Sequence, residues 1–267
     1  MDMAEERRGG SVRGRLNLAD YLERIRAFDG ARFEIAELAR VRHRETTHPI
    51  LSVRTRGDAR RTLLVLAGVH GDEQAGLLAV PPILEAWRSD DVRLVVVTPV
   101  NPFGADACSR RNAEGRDINR DFVRFATAEA RAVRAVFEEV RPDFVISLHE
   151  GPQRGTFMFT NRHIDAPLAP ALREALAGGG TVLATRDYFG RRLRPPGWAP
   201  ATALIHAAWS VGAVALRSQA TIAYSEERGV PEIVLESSSR TRDDSARVRP
   251  HVDLVAAVGR RLGSSVR

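Results

Sequence analysis

The run Leu63-Leu64-Val65-Leu66-Ala67-Gly68-Val69-His70-Gly71-Asp72-Glu73 decides how this chain is read. Its apolar first half predicts a strand buried inside a sheet, and Gly68 marks where the strand gives way to a loop. The loop carries an imidazole, His70, and a carboxylate, Glu73, three residues apart, just before the next helix. In an open α/β sheet, ligands gather outside the carboxyl ends of strands. A second strand-like run, Asp143-Phe144-Val145-Ile146-Ser147-Leu148, ends in the same way on His149. Two histidines and one glutamate at strand ends would give Zn2+ three protein ligands and leave a fourth position for water.

Working outward, apolar spacing at Leu18, Tyr21, Leu22, Ile25 and Phe28 predicts a helix over Leu18–Phe28. Phe33–Val41 and Ile50–Val53 read as edge strands or a hairpin. Thr62–Val69, Val92–Thr98, 143–149 and Val230–Glu236 read as strands of a central sheet. Glu73–Trp87 reads as a helix that Pro81-Pro82 kinks or divides, because proline removes a donor and clashes with the preceding turn. Further helices are expected over Thr127–Val140, Pro167–Ala177, Thr202–Val211 and Val248–Leu262. Residues 103–122 read as a long polar loop, which inside a compact domain is usually functional. Arg186–Pro200, rich in Arg, Pro, Gly and aromatics, reads as a flexible rim or lid. Apolar strands alternating with helices give an α/β single domain, with a mostly parallel or mixed central sheet flanked by helices on both faces.

Composition narrows the function. The 267 residues suffice for one domain with a large core. Residues 1–16 are polar and Arg-rich and read as a mobile tail, with 17–267 the folded unit. The tail lacks an apolar signal core, no apolar run is long enough to span a membrane, and a single cysteine, Cys108, fits a reducing compartment; a cytoplasmic location is expected. The net charge is +6 and every one of the 40 basic side chains is arginine. These are scattered among 34 acids without a basic block or interleaved aromatics, so nucleic acid is not the expected partner.

Four further elements accompany the histidines: Asn101-Pro102-Phe103-Gly104, Arg110-Arg111-Asn112, Asp117-Ile118-Asn119-Arg120, and Glu236 at the close of the run Pro231–Leu235. With them, residues 60–240 resemble the zinc carboxypeptidases of the M14 type, in the clan that includes succinylglutamate desuccinylases and aspartoacylases. The resemblance implies a zinc carboxypeptidase-like fold and one Zn2+ held by His70, Glu73 and His149. It implies that Glu236 is the general base, with Glu232, four residues earlier on the same strand face, as the competing candidate. It implies that Arg110, beside the similar Arg111, stabilises the charge of the tetrahedral intermediate. Asn119 and Arg120 match the pair that grips a substrate carboxylate, and Asp117 matches an acid that orients a zinc-bound imidazole.

The clan's proteases carry a tyrosine before the late glutamate, for which Tyr224 is the nearby candidate. Glu150 reads either as a support to the metal ligands or as a solvent-facing residue. The expected activity is zinc-dependent hydrolysis of an amide next to a free carboxylate, as a metallocarboxypeptidase on small peptides or as an N-acyl amino acid deacylase. A non-catalytic metal- or ligand-binding protein is the reading from another class. The arginines of 186–194 add the expectation of an acidic substrate.

Overall fold

The computed structural model describes residues 15–28, 30–165, 167–202, 211 and 218–264. The tail expected over 1–16 lies outside the described residues save for its last two, and so does most of the helix expected over Thr202–Val211.

Eight strands form one mixed sheet: β1 (Phe33–His43), β2 (Thr46–Thr55), β3 (Arg61–Ala67), β4 (Val92–Thr98), β5 (Phe144–Gly151), β6 (Phe157–Thr160), β7 (Trp198–Pro200) and β8 (Glu232–Ser238). Their order is β1-β2-β4-β3-β5-β8-β6-β7. The inner four, β4, β3, β5 and β8, run parallel. The hairpin β1–β2 adds antiparallel to β4, and β6 adds antiparallel to β8. Among the described residues the helices are α1 (Leu18–Arg26), α2 (Gln74–Leu78), α3 (Val80–Ala86), α4 (Pro102–Ala107), α5 (Ala128–Val140), α6 (Leu168–Gly178), α7 (Thr221–Glu227) and α8 (Asp244–Ser264). None of them is long and apolar enough to cross a membrane.

Alternation along a strand divides its side chains between two faces. In β3, Leu63, Val65 and Ala67 join one core with residues of α1, α2, α3, α6 and α8. Leu64 and Leu66 join a second core with Val133, Val136 and Phe137 of α5 and Tyr224 of α7. The sheet is therefore covered on both faces, which is why its central strands are continuously apolar.

Local chemistry sets the element ends. Thr127 caps α5 by accepting from Ala130 N, and Arg141 in the left-handed region closes that helix ahead of Pro142. The expected 73–87 helix is two short ones, with Pro81 and Pro82 in the first turn of α3, where a missing N–H costs nothing.

The structure corrects the reading of 103–122 as one loop. Asn101 accepts from Gly104 N and Pro102 takes the first helical position, so residues 102–107 form α4; a 3₁₀ turn follows at Ile118–Arg120. In addition, β2 is not an edge, since β4 pairs with its far side.

Candidate metal centre

The carboxyl ends of β3, β5 and β8 lie side by side, and each delivers part of the site. His70 follows β3, His149 lies two residues before the end of β5, and Glu236 is the register partner of His149 on β8. Register partners on neighbouring strands share a face, so the imidazole and the carboxylate emerge together.

The H-G-D-E loop owes its position to a close backbone approach. Gly71 N donates to Ser109 O at 3.0 Å, and a Cβ on Gly71 would lie 1.9 Å from the carbonyl carbon of Gly104. Only glycine allows these two segments to touch, so the motifs at 70–73 and 101–104 are halves of one turn assembly.

Within this frame, donor atoms converge. The ligand atoms of His70, Glu73 and His149 all lie within 4.8 Å of one another. Glu73 Oε1 is 2.6 Å from His70 Nδ1, and its Oε2 is 2.7 Å from His149 Nδ1. The two Nδ1 atoms face each other at 3.2 Å. His70 turns its other nitrogen, Nε2, to Asp117 Oδ1 at 3.2 Å, which leaves the Nδ1 lone pair pointing inward. His149 Nε2 is buried with no hydrogen-bond partner, so the ring's polar contacts all lie towards the centre. Two inward lone pairs and a carboxylate suit a bound cation better than a shared proton, so the residues present fit a metal ion.

Electrostatics agree with the geometry. Burial opposes charge on His70, but its bonds to Asp117 and Glu73 outweigh burial and raise its pKa. Burial likewise opposes ionisation of Glu73, yet His149 and His70 hold its carboxyl well below the usual range. Asp117 is lowered in the same way, against its own burial, by His70 and Arg110. Burial pushes Glu236 up to about 8, the nearby His149 counteracting and Glu73 adding to the rise.

Arg110 forks onto Asp117 Oδ2 at 3.2 and 3.0 Å through Nε and Nη2. Its Nη1 donates towards His70 Nδ1 at 3.1 Å and Glu73 Oε1 at 3.3 Å. Arg111 points away, donating to Gly115 O. Asp117 Oδ1 also accepts from Asn119 N at 3.0 Å, which starts the 3₁₀ turn and holds Asn119 and Arg120 beside the imidazole support. Asn119 Oδ1 accepts from Thr221 N at the start of α7, while the Arg120 side chain is exposed.

Other sequence candidates fall elsewhere. Glu232 is fully buried and accepts from Ser147 Oγ at 2.8 Å, from Thr221 Oγ1 at 2.9 Å and from Ser225 Oγ. Three hydroxyl donors occupy it, which leaves it no reach towards a reacting water. Tyr224 packs in the second core against Phe122, Phe125 and Phe137, with Arg228 over its ring. Its burial there separates it from the site. Glu150 faces the other side of the sheet, where Arg247 of α8 grips both its oxygens at 2.8 Å and Ala75 N donates to it at 2.7 Å. It ties β5 to α2 and α8.

His251 of α8 lies on that same side, fully buried, with Nε2 3.0 Å from Ser237 Oγ. Burial, with His149 and the Arg247 guanidinium nearby acting in the same direction, pushes its pKa down to about 3. The unfolded chain takes up this proton near pH 6.5 and the folded one does not, so the stability is complete above that pH and is lost as pH falls from about 6.5 towards 3. The expected slope from this group is about 1.4 kcal/mol per pH unit. Urea melts of wild type and His251→Gln at pH 7, 6 and 5 check it: the variant loses this component of the slope.

Sequence reasoning missed Gln153 and Tyr188. Gln153 donates to Glu236 O and Ser237 O at 3.1 Å each, and a Cβ on Gly151 would lie 2.1 Å from Gln153 Oε1 and 3.2 Å from Glu236 Oε2. The glycine after His149-Glu150 was the available signal for such crowding. Tyr188, on a separate hairpin, packs 5.8 Å from Phe157, the register partner of Glu236, and no spacing along the chain announces this.

The comparisons with known proteins point the same way. Residues 59–157 match the family described as the succinylglutamate desuccinylase/aspartoacylase catalytic domain. A stretch of 64 residues is 39% identical to murein peptide amidase A of Escherichia coli (strain K12), covering 24% of this chain and 26% of that protein. The match thus spans about a quarter of this curated relative. A metallo-carboxypeptidase from Burkholderia cenocepacia superposes with a TM-score of 0.64 at 14% identity, over 92% of this chain and 68% of the other. A succinylglutamate desuccinylase/aspartoacylase from Rhodobacter sphaeroides gives a TM-score of 0.57 at 18% identity, over 88% and 66%. At these identities the solved structures establish the fold, and the names of all these relatives are those of hydrolases. The chain therefore carries the fold seen in these carboxypeptidase and desuccinylase structures, and residues 59–157 match the succinylglutamate desuccinylase/aspartoacylase catalytic-domain family.

Proposed function

We propose that this protein is a zinc-dependent hydrolase that cleaves an amide bond next to a free carboxylate, as a metallocarboxypeptidase acting on small peptides. The observation that carries the proposal is the convergence of His70 Nδ1, His149 Nδ1 and the Glu73 carboxylate, with Glu236 alongside. Two nitrogens and one carboxylate are a usual set of protein ligands for catalytic zinc, and when bound, zinc supplies Lewis acidity and lowers the pKa of a coordinated water to about 7.

The chain's own residues do the rest. Glu236 takes the proton of the attacking water and hands it to the leaving nitrogen. Its raised pKa suits this, because a carboxyl that titrates near neutrality can both accept and return a proton. Arg110, held by Asp117, presents Nη1 to the charge that develops on the carbonyl oxygen. Asn119 and Arg120 hold the substrate carboxylate, the planar guanidinium matching it through two hydrogen bonds. Arg110→Ala is expected to lower kcat by roughly 10²–10³ with metal content unchanged, checked by steady-state kinetics and metal analysis on the same preparation.

A second reading, an N-acyl amino acid deacylase, is favoured by the family match over residues 59–157. Both reactions attack an amide beside a carboxylate with the same groups. Turnover by zinc-loaded protein on a mixed panel of short peptides and N-acyl amino acids, resolved by mass with Glu236→Gln as the blank, separates them. Release of a C-terminal residue supports the carboxypeptidase, and release of an acyl group supports the deacylase. Absence of any product with zinc bound would leave two options, a specialised substrate outside the panel or a binding role. A cytoplasmic setting, read from the single cysteine, belongs to the same proposal.

A further inference from the structure

A cleft of about 430 Å³ opens where β8 ends. Its walls are the loop between β5 and β6, the segment that follows α6, the end of β8 and the first turns of α8. None of His70, Glu73, His149 and Glu236 lines it, and neither do Arg110, Asn119 and Arg120. The cleft is therefore separate from the metal centre, and its volume is that of a small-molecule pocket.

Backbone bonds hold the walls in place. Thr156 N donates to Val182 O at 2.8 Å and Ala184 N to Thr156 O at 2.9 Å, which ties the β5–β6 loop to the segment after α6. Ser238 Oγ donates to Gln153 O at 2.7 Å and ties the end of β8 to the same loop. Gly155, at φ +82°, lets the segments touch, since a Cβ there would lie 2.8 Å from Val182 O and from Ala184 N.

The charge inside this frame has one sign. Arg154, Arg240 and Arg249 line the cleft, and no Asp or Glu does. The guanidinium groups of Arg154 and Arg240 have no partner among the described residues. Arg249 Nη1 donates only to a neutral group, Gly179 O, at 3.1 Å. The acids nearby along the chain are engaged elsewhere. Asp243 Oδ1 accepts from Ser245 N at 2.9 Å, and Asp244 pairs with Arg247. Asp253 is influenced electrostatically by Arg249 but lies against Gly179 and outside the cleft. Cations that face one concavity without a counter-charge repel one another and attract anions. A second observation is independent of charge. Thr181 lines the cleft, and its Oγ1 is buried with no hydrogen-bond partner. Buried hydroxyls are normally paired, so an orphan beside three guanidinium groups points to an acceptor supplied by a ligand.

We infer that this cleft is a second binding site, separate from the metal centre, for a small oxyanion of the phosphate class, either free phosphate or a phosphate monoester. A carboxylate is matched by a single forked guanidinium, whereas a phosphate dianion has oxygens for several donors at once. Arg154, Arg240 and Arg249 supply the charge and Thr181 a hydroxyl donor. The inference stands apart from the hydrolase reading, because none of its residues belongs to that machinery.

Calorimetric titration of the full chain with inorganic phosphate tests it, at fixed ionic strength and with a chelator present so that no bound ion competes. Saturable binding at one phosphate per chain is expected. Arg240→Ala is expected to weaken it roughly tenfold, the double variant Arg154→Ala, Arg240→Ala to weaken it further, and Arg240→Lys to keep part of the affinity. Both side chains are exposed and unpaired, so the variants are expected to melt with wild type. Glycerol 3-phosphate distinguishes the two sources: tighter binding than phosphate assigns the site to a monoester, and equal or weaker binding to the free ion. No saturable binding, acetate binding as tightly as phosphate, an affinity unchanged in the double variant, or an affinity lost in Arg120→Gln instead overturns the inference, the last because it would place the anion at the metal centre.

Discussion

Replacing His149 by alanine is expected to strip the centre of its metal and abolish turnover. The physical reason lies in the donor count. His70, Glu73 and His149 are the group of donors that the structure brings within 4.8 Å of one another, and two remaining ligands with an open face hold zinc poorly. Losing a residue that merely supports a ligand typically weakens metal binding by 10–100-fold, and losing a ligand exceeds that. Asp117→Asn supplies the graded control, since Asp117 touches His70 at Nε2 rather than the centre itself. It is expected to fall in that lower range. Competition with a chromophoric chelator measures all three proteins on one scale. Wild-type affinity in His149→Ala would remove this histidine from the ligand set.

Glu236→Gln separates chemistry from metal binding. The substitution keeps the shape of the side chain and removes its ability to accept a proton. Glu236 is buried at the end of β8 as the register partner of His149 and is not one of the three converging ligands. Zinc content is therefore expected to stay at one per chain while kcat falls by roughly 10²–10⁴, the usual contribution of a positioned general base. KM is expected to move little, because in the proposed reading Asn119 and Arg120, not Glu236, hold the substrate carboxylate. Metal analysis and initial rates on one preparation decide it, and undiminished kcat would assign the base elsewhere. Glu232→Gln is the counterpart: its carboxylate is committed to Ser147, Thr221 and Ser225, so changing it disturbs packing around α7 rather than proton transfer.

The contrast between these two glutamates shows what a sequence does and does not disclose. Both lie on one strand, four residues apart, and alternation puts both on the same face. Only the packing partners distinguish them: α7, just before β8, delivers two of the hydroxyls that saturate Glu232, and Ser147 of β5 delivers the third. The central strands were readable because burial on both faces leaves a continuous apolar signature, as at Leu63–Ala67. Strand β6 was not, since four residues with three half- or fully apolar side chains match no period. The Arg186–Pro200 stretch was legible as a rim by composition alone. That Asp187 turns it into a bonded hairpin with an aromatic tip depends on a buried carboxylate gathering its own neighbours, which spacing does not encode. Arg110, Asp117, Asn119 and Arg120 were assigned by resemblance, and the structure adds why they travel together: the Asp117 carboxylate bonds to the imidazole, to the guanidinium and to the N–H that starts the 3₁₀ turn.

The order of strands in the sheet also governs the order in which the protein can become competent. β8 is inserted between β5 and β6, although every strand of β1–β7 precedes it along the chain. The histidines and Glu73 come from β3, β5 and the loop after β3, which pair with each other directly. Glu236 and the platform for β6 arrive only when β8 docks, a long-range pairing of the kind that forms slowly. On the proposed function, ion binding and hydrolysis are thus separable stages of assembly: a partly folded chain can already hold His70, Glu73 and His149 together while lacking Glu236.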